Sequence, residues 1–260
     1  MLRASGIGVR IGRKQILGGL DFEAAPGAVT AIVGPNGSGK STLLKAITGD
    51  LPHSGRISLD GTDLATMTAR DLAARRGVLP QGSTLAFPFT VAEVVAIGLH
   101  HGAFGAEAAI ASRALDRVGL GGFGGRFYQE LSGGEQQRVQ LARVLAQVWE
   151  PVQDGRPRWL FLDEPVSALD IAHQLQVMRI ARDYADAGGG VVTVMHDLNL
   201  TAMFADRVAV LAQGRCLAAG TPAEVMTDAT LGRAYGCALH VGRTPPPGTP
   251  FLLPHTAATV

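Results

Sequence analysis

Short apolar runs alternate with amphipathic segments along most of the chain. Residues 28–33, 159–162 and 191–195 are almost entirely apolar. Such runs are typical of strands that are buried on both faces of a parallel sheet. The segments between them have helical periodicity, so the alternation predicts an α/β fold with a largely parallel central sheet.

The remaining elements follow from alternation and from turn residues. Residues 6–30 predict strand, turn and strand, because residues 20–24 alternate apolar and polar and because Gly18-Gly19 and Pro26-Gly27 are typical breakers. Residues 53–60 and 77–80 predict further strands, and residues 208–219 predict a hairpin around Gln213-Gly214. Helices are predicted over residues 41–49, 65–76, 168–187 and 198–205.

The middle of the chain has a helical pattern throughout. Residues 91–99, 106–118 and 134–148 each suit a helix, and glycine loops separate them. We therefore predict a domain over residues 1–240 that contains a helical subdomain at about residues 82–147. Residues 244–260 hold five prolines and no charged residue, so residues 241–260 are predicted to form an irregular tail.

Composition narrows the possible classes of protein. The 260 residues are 47% hydrophobic with a formal net charge of +1, which excludes a disordered chain and argues against nucleic acid as a partner. No apolar stretch approaches the roughly 18 residues that a membrane span needs, and the N-terminus lacks a signal-peptide core. Cys216 and Cys237 have no metal-ligand spacing. We expect a cytoplasmic protein.

A glycine-rich loop follows the first buried strand. Its sequence matches GxxxxGK[ST] in the predicted strand–loop–helix context, and its residues are Gly34, Pro35, Asn36, Gly37, Ser38, Gly39, Lys40 and Ser41, followed by Thr42. Glycines let successive N–H groups turn towards phosphate oxygens, and the helix adds its N-terminal donors. Lys40 can reach the outer phosphates and Ser41 can ligate Mg²⁺. The loop predicts a nucleotide phosphate site.

Two adjacent carboxylates follow the second buried strand. Asp163 and Glu164 come at the carboxyl end of this strand, where parallel sheets bind their ligands. Asp163 can orient Mg²⁺, and Glu164 can polarise an attacking water as a general base. Alone such a pair is more often a solvated strand end, but together with the phosphate loop it predicts a hydrolytic site.

A third motif, LSGGEQQR over residues 131–138, completes a recognisable set. The order of phosphate loop, LSGGEQQR and FLDEP resembles the ATP-binding subunits of ABC transporters over about residues 3–240. Three further positions match the family in order: Gln81 as the Q-loop glutamine, Asp170 in the D-loop and His196 as the switch histidine. Ile11 or Gly12 stands where many members have an adenine-stacking aromatic residue, and Ile11 or Arg13 could replace that contact.

The resemblance implies the rest of the assembly. It implies a P-loop NTPase fold with a mixed sheet core, an N-terminal antiparallel β subdomain and a helical insertion. It implies ATP and Mg²⁺, with Ser41, Gln81 and Asp163 at the metal and Glu164, His196 and Gln81 as catalytic groups. It further implies a homodimer in which each chain caps its partner's ATP. The capping residues are Ser132, Gly133, Gly134, Glu135 and Asp170.

The family's cellular context is implied in the same way. Such homodimers work with two copies of a membrane permease and a periplasmic substrate-binding protein, at the cytoplasmic face of the bacterial inner membrane. Phe87 and Phe89, just after Gln81, predict an apolar surface for a permease helix, with core packing as the alternative.

Three segments resemble the haemin-import branch of this family. They are the long link at residues 145–159, the segment SALDIAHQLQVM and the segment HDLNLTAMFADRV. Haemin is therefore the expected cargo. Import of a ferric siderophore or cobalamin, and a soluble ABC ATPase outside transport, are the alternatives.

Overall fold

The computed structural model of the protein describes residues 1–82, 87–101 and 108–254. The strands, in chain order, are β1 (Leu2–Ile11), β2 (Lys14–Ala24), β3 (Val29–Val33), β4 (Ser54–Leu59), β5 (Thr62–Asp63), β6 (Arg76–Leu79), β7 (Val152–Gln153), β8 (Arg156–Pro157), β9 (Trp159–Asp163), β10 (Gly190–Val194), β11 (Arg207–Ala212) and β12 (Arg215–Gly220). The α-helices are α1 (Lys40–Ile47), α2 (Ala69–Arg75), α3 (Val91–His101), α4 (Ala108–Arg117), α5 (Gly133–Gln147), α6 (Ile171–Asp186), α7 (Leu198–Phe204), α8 (Pro222–Val225) and α9 (Asp228–Tyr235).

The central sheet has the strand order β12-β11-β3-β10-β9-β6. Only β12 pairs antiparallel in this sheet; the other neighbours are parallel. Every residue of β3, β9 and β10 is buried, which confirms the three apolar runs as strands covered on both faces. The carboxyl ends of β3 and β9, which carry the phosphate loop and the acidic pair, therefore lie at one edge of the sheet.

Alternate residues of each buried strand serve two different cores. Leu160 and Leu162 of β9 pack with the helices of the middle region. Trp159 and Phe161 pack with α1 and with the first strands of the chain. The period of two along a strand thus places the central sheet between two hydrophobic layers.

The N-terminal strands form a separate antiparallel sheet with the order β2-β1-β4-β5. The Gly18-Gly19 pair lies inside β2, so its interpretation as a breaker is wrong. The Gly18 N–H donates to the carbonyl oxygen of Gly214, at 3.1 Å. On the other side of this contact, Gly214 allows the close approach, because a Cβ atom there would lie 2.1 Å from the Ile16 carbonyl oxygen. Together the two sheets confirm the predicted fold class.

Helices α3, α4 and α5 occupy the region predicted to be helical. A Cβ atom on Gly98 would lie 2.1 Å from the Arg143 carbonyl oxygen, so the α3 and α5 backbones nearly touch there. Residues 83–86 and 102–107 of this region lie outside the described residues, as do residues 255–260 of the predicted tail. The division into subdomain and tail stays a prediction.

The structure differs from the predicted elements at several points. The link at residues 145–159 contains the β7–β8 hairpin, whose Asp154-Gly155 turn is a common hairpin signal. Helix α6 begins at Ile171 because the Asp170 side chain caps it. The helix predicted over residues 65–76 is shorter in the structure, because a 3₁₀ turn at Leu64–Thr66 precedes α2. Across the described residues, no helix is both long and apolar enough to cross a membrane.

Candidate functional site

The phosphate loop connects β3 to α1 through three glycines with positive φ. These φ values are 148° at Gly34, 76° at Gly37 and 101° at Gly39. A Cβ atom on Gly34 would lie 2.0 Å from the Leu211 carbonyl oxygen, and one on Gly39 would lie 2.6 Å from Leu17 Cδ2. Conformation therefore favours glycine at both positions, and at Gly34 the neighbouring backbone also leaves no space for a Cβ atom.

The Lys40 ammonium group lies within the loop. Its Nζ donates to the carbonyl oxygens of Gly34, at 2.8 Å, and Pro35, at 3.1 Å. Burial lowers the pKa of Lys40, while the nearby charges of Glu164 and Asp163 act in the opposite direction. The loop thus holds a buried cation beside the acidic pair.

Ser41 and Asp163 meet across the edge of the sheet. The Ser41 hydroxyl donates to Asp163 Oδ1 at 2.9 Å, although the two residues are 122 positions apart in the sequence. Asp163 is buried, and burial raises the pKa of its carboxyl group against the opposing effect of the Ser41 hydrogen bond. A hydroxyl and a carboxylate oxygen are the hard ligands that Mg²⁺ prefers, so these two residues fit a magnesium site.

Glu164 lies between two side chains predicted to act with it. Gln81 Nε2 donates to Glu164 Oε2 at 2.9 Å, and His196 Nε2 lies 2.6 Å from Glu164 Oε1. The Glu164 side chain is only 13% exposed, whereas His196 is 43% exposed and opens to solvent. The structure therefore brings Gln81, Glu164 and His196 together from three separate segments.

The backbone at Glu164 has an unusual conformation. Its φ is 53°, in the left-handed region that residues other than glycine rarely adopt. The Glu164 N–H donates to the carbonyl oxygen of Val194, at 3.2 Å, and its carbonyl oxygen accepts from Gln137 Nε2, at 3.1 Å. Sequence reasoning missed Gln137, although the residue belongs to the LSGGEQQR motif.

The signature residues form a helix N-terminus. The Ser132 hydroxyl caps α5, and Glu135 reciprocates by accepting from the Ser132 N–H at 2.8 Å. The Ser132 hydroxyl, at 2.7 Å, and the Ser132 N–H both donate to the Glu135 carboxylate and lower the pKa of Glu135. Gly133 and Gly134 form the first turn, where a Cβ on Gly134 would lie 3.2 Å from Leu169 Cδ2. Nucleotide capping by these residues stays a prediction.

Asp170 has a structural role within this chain. Its carboxylate accepts from the His173 backbone N–H at 3.0 Å and lies 2.8 Å from His173 Nδ1. These bonds at the start of α6 lower the pKa of Asp170. Its expected contact with nucleotide stays a prediction, as does the adenine contact of Ile11, which is 54% exposed beside the Gly12 turn.

The two phenylalanines after Gln81 differ in exposure. Phe87 is 68% exposed, whereas Phe89 packs partly against the core, and their rings meet edge to face at 6.4 Å. Core packing therefore describes Phe89, and Phe87 offers an apolar surface.

This fold and this site define an ATP-binding cassette. A model of the ABC transporter family matches residues 17–167, more than half of the chain. The chain therefore belongs to the ATPase subunits of ABC transporters, and it binds ATP as they do. This membership confirms the resemblance that the three motifs predicted.

Similar proteins place the chain more closely. "Hemin import ATP-binding protein HmuV" of Jannaschia sp. (strain CCS1) is 66% identical over 99% of this chain and 95% of its own length. A bacterial Atm1-family ABC exporter with ATP bound superposes with a TM-score of 0.75 at 30% identity, over 86% of this chain and 39% of the exporter. A dimeric ATP-binding cassette, MJ0796, bound to ADP and phosphate superposes with a TM-score of 0.74 at 26% identity. The match covers 85% of this chain and 99% of the cassette.

Proposed function

We propose that this chain is the ATP-hydrolysing subunit of a haemin importer, with Glu164 as the general base. The observation that carries the proposal is the Glu164 carboxylate, placed between Gln81 and His196 at the sheet edge that also holds the phosphate loop. The haemin cargo rests on the name of the 66% identical relative.

ATP binds at the phosphate loop through the N–H groups of its glycine-rich turn and of the first turn of α1. These donors and the positive end of the helix favour the triphosphate. Lys40 transfers its hydrogen bonds from the loop carbonyls to phosphate oxygens. Because Lys40 is buried, its charge is weakly screened and stabilises negative charge on the outer phosphates.

The metal site is formed by oxygen ligands. Ser41 and Asp163 would hold Mg²⁺, with Gln81 as a further ligand. When bound, Mg²⁺ neutralises charge on the phosphate oxygens. The buried Asp163 carboxylate, whose pKa is raised by burial, is better satisfied beside a cation than alone.

Glu164 is suited to accept the proton of the attacking water. Attack by the water oxygen on the γ-phosphorus breaks the bond to the β–γ bridging oxygen and releases ADP and phosphate, while the water proton passes to the Glu164 carboxylate. His196 and Gln81 each contact one oxygen of this carboxylate, so they orient it and respond when γ-phosphate arrives.

The active form is a homodimer. Ser132, Gly133, Gly134 and Glu135 lie at a helix N-terminus, which is suited to cap the γ-phosphate bound by the partner chain. Asp170 lies nearby at the start of α6. A related cassette solved as a dimer with ADP and phosphate supports this arrangement.

Transport requires further subunits. Two copies of a permease, supplied by a periplasmic haemin-binding protein, receive the motion of the dimer at the cytoplasmic face of the inner membrane. The exposed Phe87 ring, a few residues after Gln81, supplies an apolar contact for the permease.

Replacement of Glu164 by glutamine tests the proposal. Glu164→Gln retains the shape of the side chain but cannot accept the proton, so we expect steady-state ATP hydrolysis to fall by about 100-fold or more. The dissociation constant for ATP should stay within about twofold. The two quantities are measured by phosphate release and by fluorescent nucleotide titration.

Glu23→Gln serves as the matched control, because Glu23 is 60% exposed and forms a surface ion pair with Arg3. Its hydrolysis rate should equal that of the natural chain. Normal turnover in Glu164→Gln would remove Glu164 from the proposed role.

A further inference from the structure

The peptide that follows Glu164 is held by two side chains from different elements. Its carbonyl oxygen accepts from Gln137 Nε2 at 3.1 Å and from the Ser167 hydroxyl at 3.2 Å. Ser167 lies three residues along the same turn, but Gln137 belongs to α5. A direct hydrogen bond therefore joins the signature helix to the backbone of the proposed base in the same chain.

The side-chain amide of Gln137 hydrogen-bonds to the Glu164 carbonyl oxygen. Within the described part of the chain, the bond to Glu164 is the only side-chain hydrogen bond of Gln137, and its Oε1 is buried without a donor. Burying the Gln137 amide oxygen without a hydrogen-bond donor costs free energy. Buried polar groups without a partner are uncommon in native proteins and are often found at functional sites. The unpaired oxygen therefore distinguishes Gln137 from a surface glutamine, whose amide is hydrated.

Helix α5 is packed closely enough to transmit its position. A Cβ on Gly134 would lie 3.2 Å from Leu169 Cδ2 and 3.4 Å from the Ala168 carbonyl oxygen. The first turn of α5 therefore rests directly on the loop that continues from Glu164. A shift of α5 must move this loop, break the Gln137 bond, or do both.

The conformation of Glu164 needs such external support. A non-glycine residue at a φ of 53° is strained, and it persists only where surrounding contacts fix it. Its N–H is fixed by the Val194 carbonyl, and its C=O is fixed by Gln137 and Ser167. Loss of these bonds would release the backbone from which the Glu164 carboxylate reaches His196 and Gln81.

We propose that Gln137 is a positioning residue for hydrolysis. It holds the Glu164 peptide so that the carboxylate faces His196 and Gln81, and it makes turnover depend on the position of the signature helix of the same chain. The inference rests on the proposed function, because it requires Glu164 to be the base. Gln137 itself need not touch the nucleotide.

The test compares two glutamines on one helix. Gln137→Met keeps the approximate shape of the side chain and removes the donor to Glu164. Gln147→Met is the matched control, because Gln147 Nε2 also donates to backbone carbonyls, those of Ala73 and Arg76, each at 2.9 Å. Both variants are made in the full chain, and kcat and KM for ATP are measured with the melting temperature.

We expect Gln137→Met to lower kcat by about tenfold, the effect of one hydrogen bond of average net strength, with KM within about twofold. Gln147→Met should lower the melting temperature at least as much and leave kcat within about twofold. Equal losses of kcat in both variants, or an unchanged kcat in Gln137→Met, would overturn the inference.

A double-variant measurement separates positioning from general damage. In a Glu164→Gln background the base is already lost, so adding Gln137→Met should change the residual rate by less than about twofold. A further tenfold loss would show that Gln137 acts elsewhere. Ser167→Ala removes the Ser167 hydroxyl donor but keeps the Ser167 N–H, which donates to the same oxygen at 3.3 Å, so kcat should fall by at most a few-fold in the natural background.

The two proposals fail in different ways. If Glu164→Gln hydrolyses ATP normally, the proposed function is wrong and the inference falls with it. If Glu164→Gln is inactive while Gln137→Met keeps its full kcat, only the positioning role is lost.

Discussion

Single residues at the sheet edge keep charge in places where burial is unfavourable. Asp163 and Lys40 are 3% and 5% exposed, and burial shifts the pKa of each group towards its neutral form. The Ser41 hydroxyl is a neutral partner for Asp163 and compensates only part of this cost. The site is therefore arranged to bind a charged ligand, and this arrangement lowers the stability of the protein when no ligand is bound.

Replacement of Asp163 by asparagine should stabilise the free protein. Because burial raises the folded-state pKa of Asp163, its contribution to stability is present at low pH and is lost as pH rises through that pKa. Asparagine keeps an acceptor for Ser41 and carries no charge. At pH 7 with EDTA and no nucleotide, Asp163→Asn should melt higher, by roughly 2–4 °C for each 1 kcal/mol.

The difference should shrink as pH falls to the ordinary range of aspartate, about 3.9, where both side chains are neutral. The stabilisation by Mg²⁺ with ATP should be lost in the same variant. Asp183→Asn, at a side chain 64% exposed, is the control and should melt unchanged. A lower melting temperature for Asp163→Asn at pH 7 would contradict the argument.

Residue roles could be predicted where a motif fixes both type and order. Lys40, Glu164 and His196 were predicted in this way; the structure brings them to one edge of the sheet, and their roles stay predictions. The left-handed backbone of Glu164 and its bond to Gln137 could not be predicted, because they depend on contacts across 27 residues of sequence. A contact between two distant segments leaves no signal in the local pattern of the sequence.

Elements were predictable where burial alone determines the pattern. The strands β3, β9 and β10 begin and end within two residues of the apolar runs that predicted them. Boundaries set by side-chain capping were less accurate, as at Asp170. The glycine pair in β2 misled the prediction because the strand continues through it: Gly18 pairs with Gly8 of β1, and its N–H donates to the Gly214 carbonyl oxygen in the β11–β12 turn.

That turn gives a prediction at the scale of elements. Gly214 has a φ of 73°, its N–H donates to Ser38 O at 3.1 Å, and a Cβ on it would lie 2.1 Å from Ile16 O. Gly214→Ala should therefore lower the free energy of unfolding by about 2–4 kcal/mol and weaken ATP binding several-fold. Urea unfolding and nucleotide titration measure the two effects.

The β7–β8 turn supplies the control. Gly155 has a φ of 70°, but a Cβ on it would meet nothing within 4 Å. Gly155→Ala therefore introduces backbone strain but no steric clash. It should lower the free energy of unfolding by about 1–2 kcal/mol without changing the affinity for ATP. Equal effects of the two alanines on ATP binding would show that the β11–β12 turn does not support the phosphate loop.

At the scale of the whole molecule, one helix links two layers. Helix α5 packs against α3 and α4 through buried residues such as Val139 and Leu141, and it contacts the loop after Glu164 through Gly134 and Gln137. One of the contacts between the helical layer and the sheet therefore lies at the Glu164 backbone. Coupling of hydrolysis to transport has a physical route in this packing.

The cargo is tested on the complete transporter. With the chain, the proposed permease and the proposed binding protein in proteoliposomes, haemin-loaded binding protein should raise ATP hydrolysis several-fold, because cargo arrival would favour closure of the proposed ATPase dimer. Lys40→Ala should abolish the stimulation. Stimulation by a ferric siderophore or cobalamin instead of haemin would reassign the cargo.

The two tryptophans of the chain lie in different layers. Trp159 is fully buried at the start of β9, stacked on Phe161 with ring centroids 6.2 Å apart. Trp149 is half-buried just after α5, with the Arg113 guanidinium of α4 5.0 Å from its ring. The molecule thus carries two intrinsic fluorophores, one reporting on the sheet core and one on the contact between α4 and the end of α5. Single Trp→Phe variants would let each layer be followed optically during turnover, without a dye.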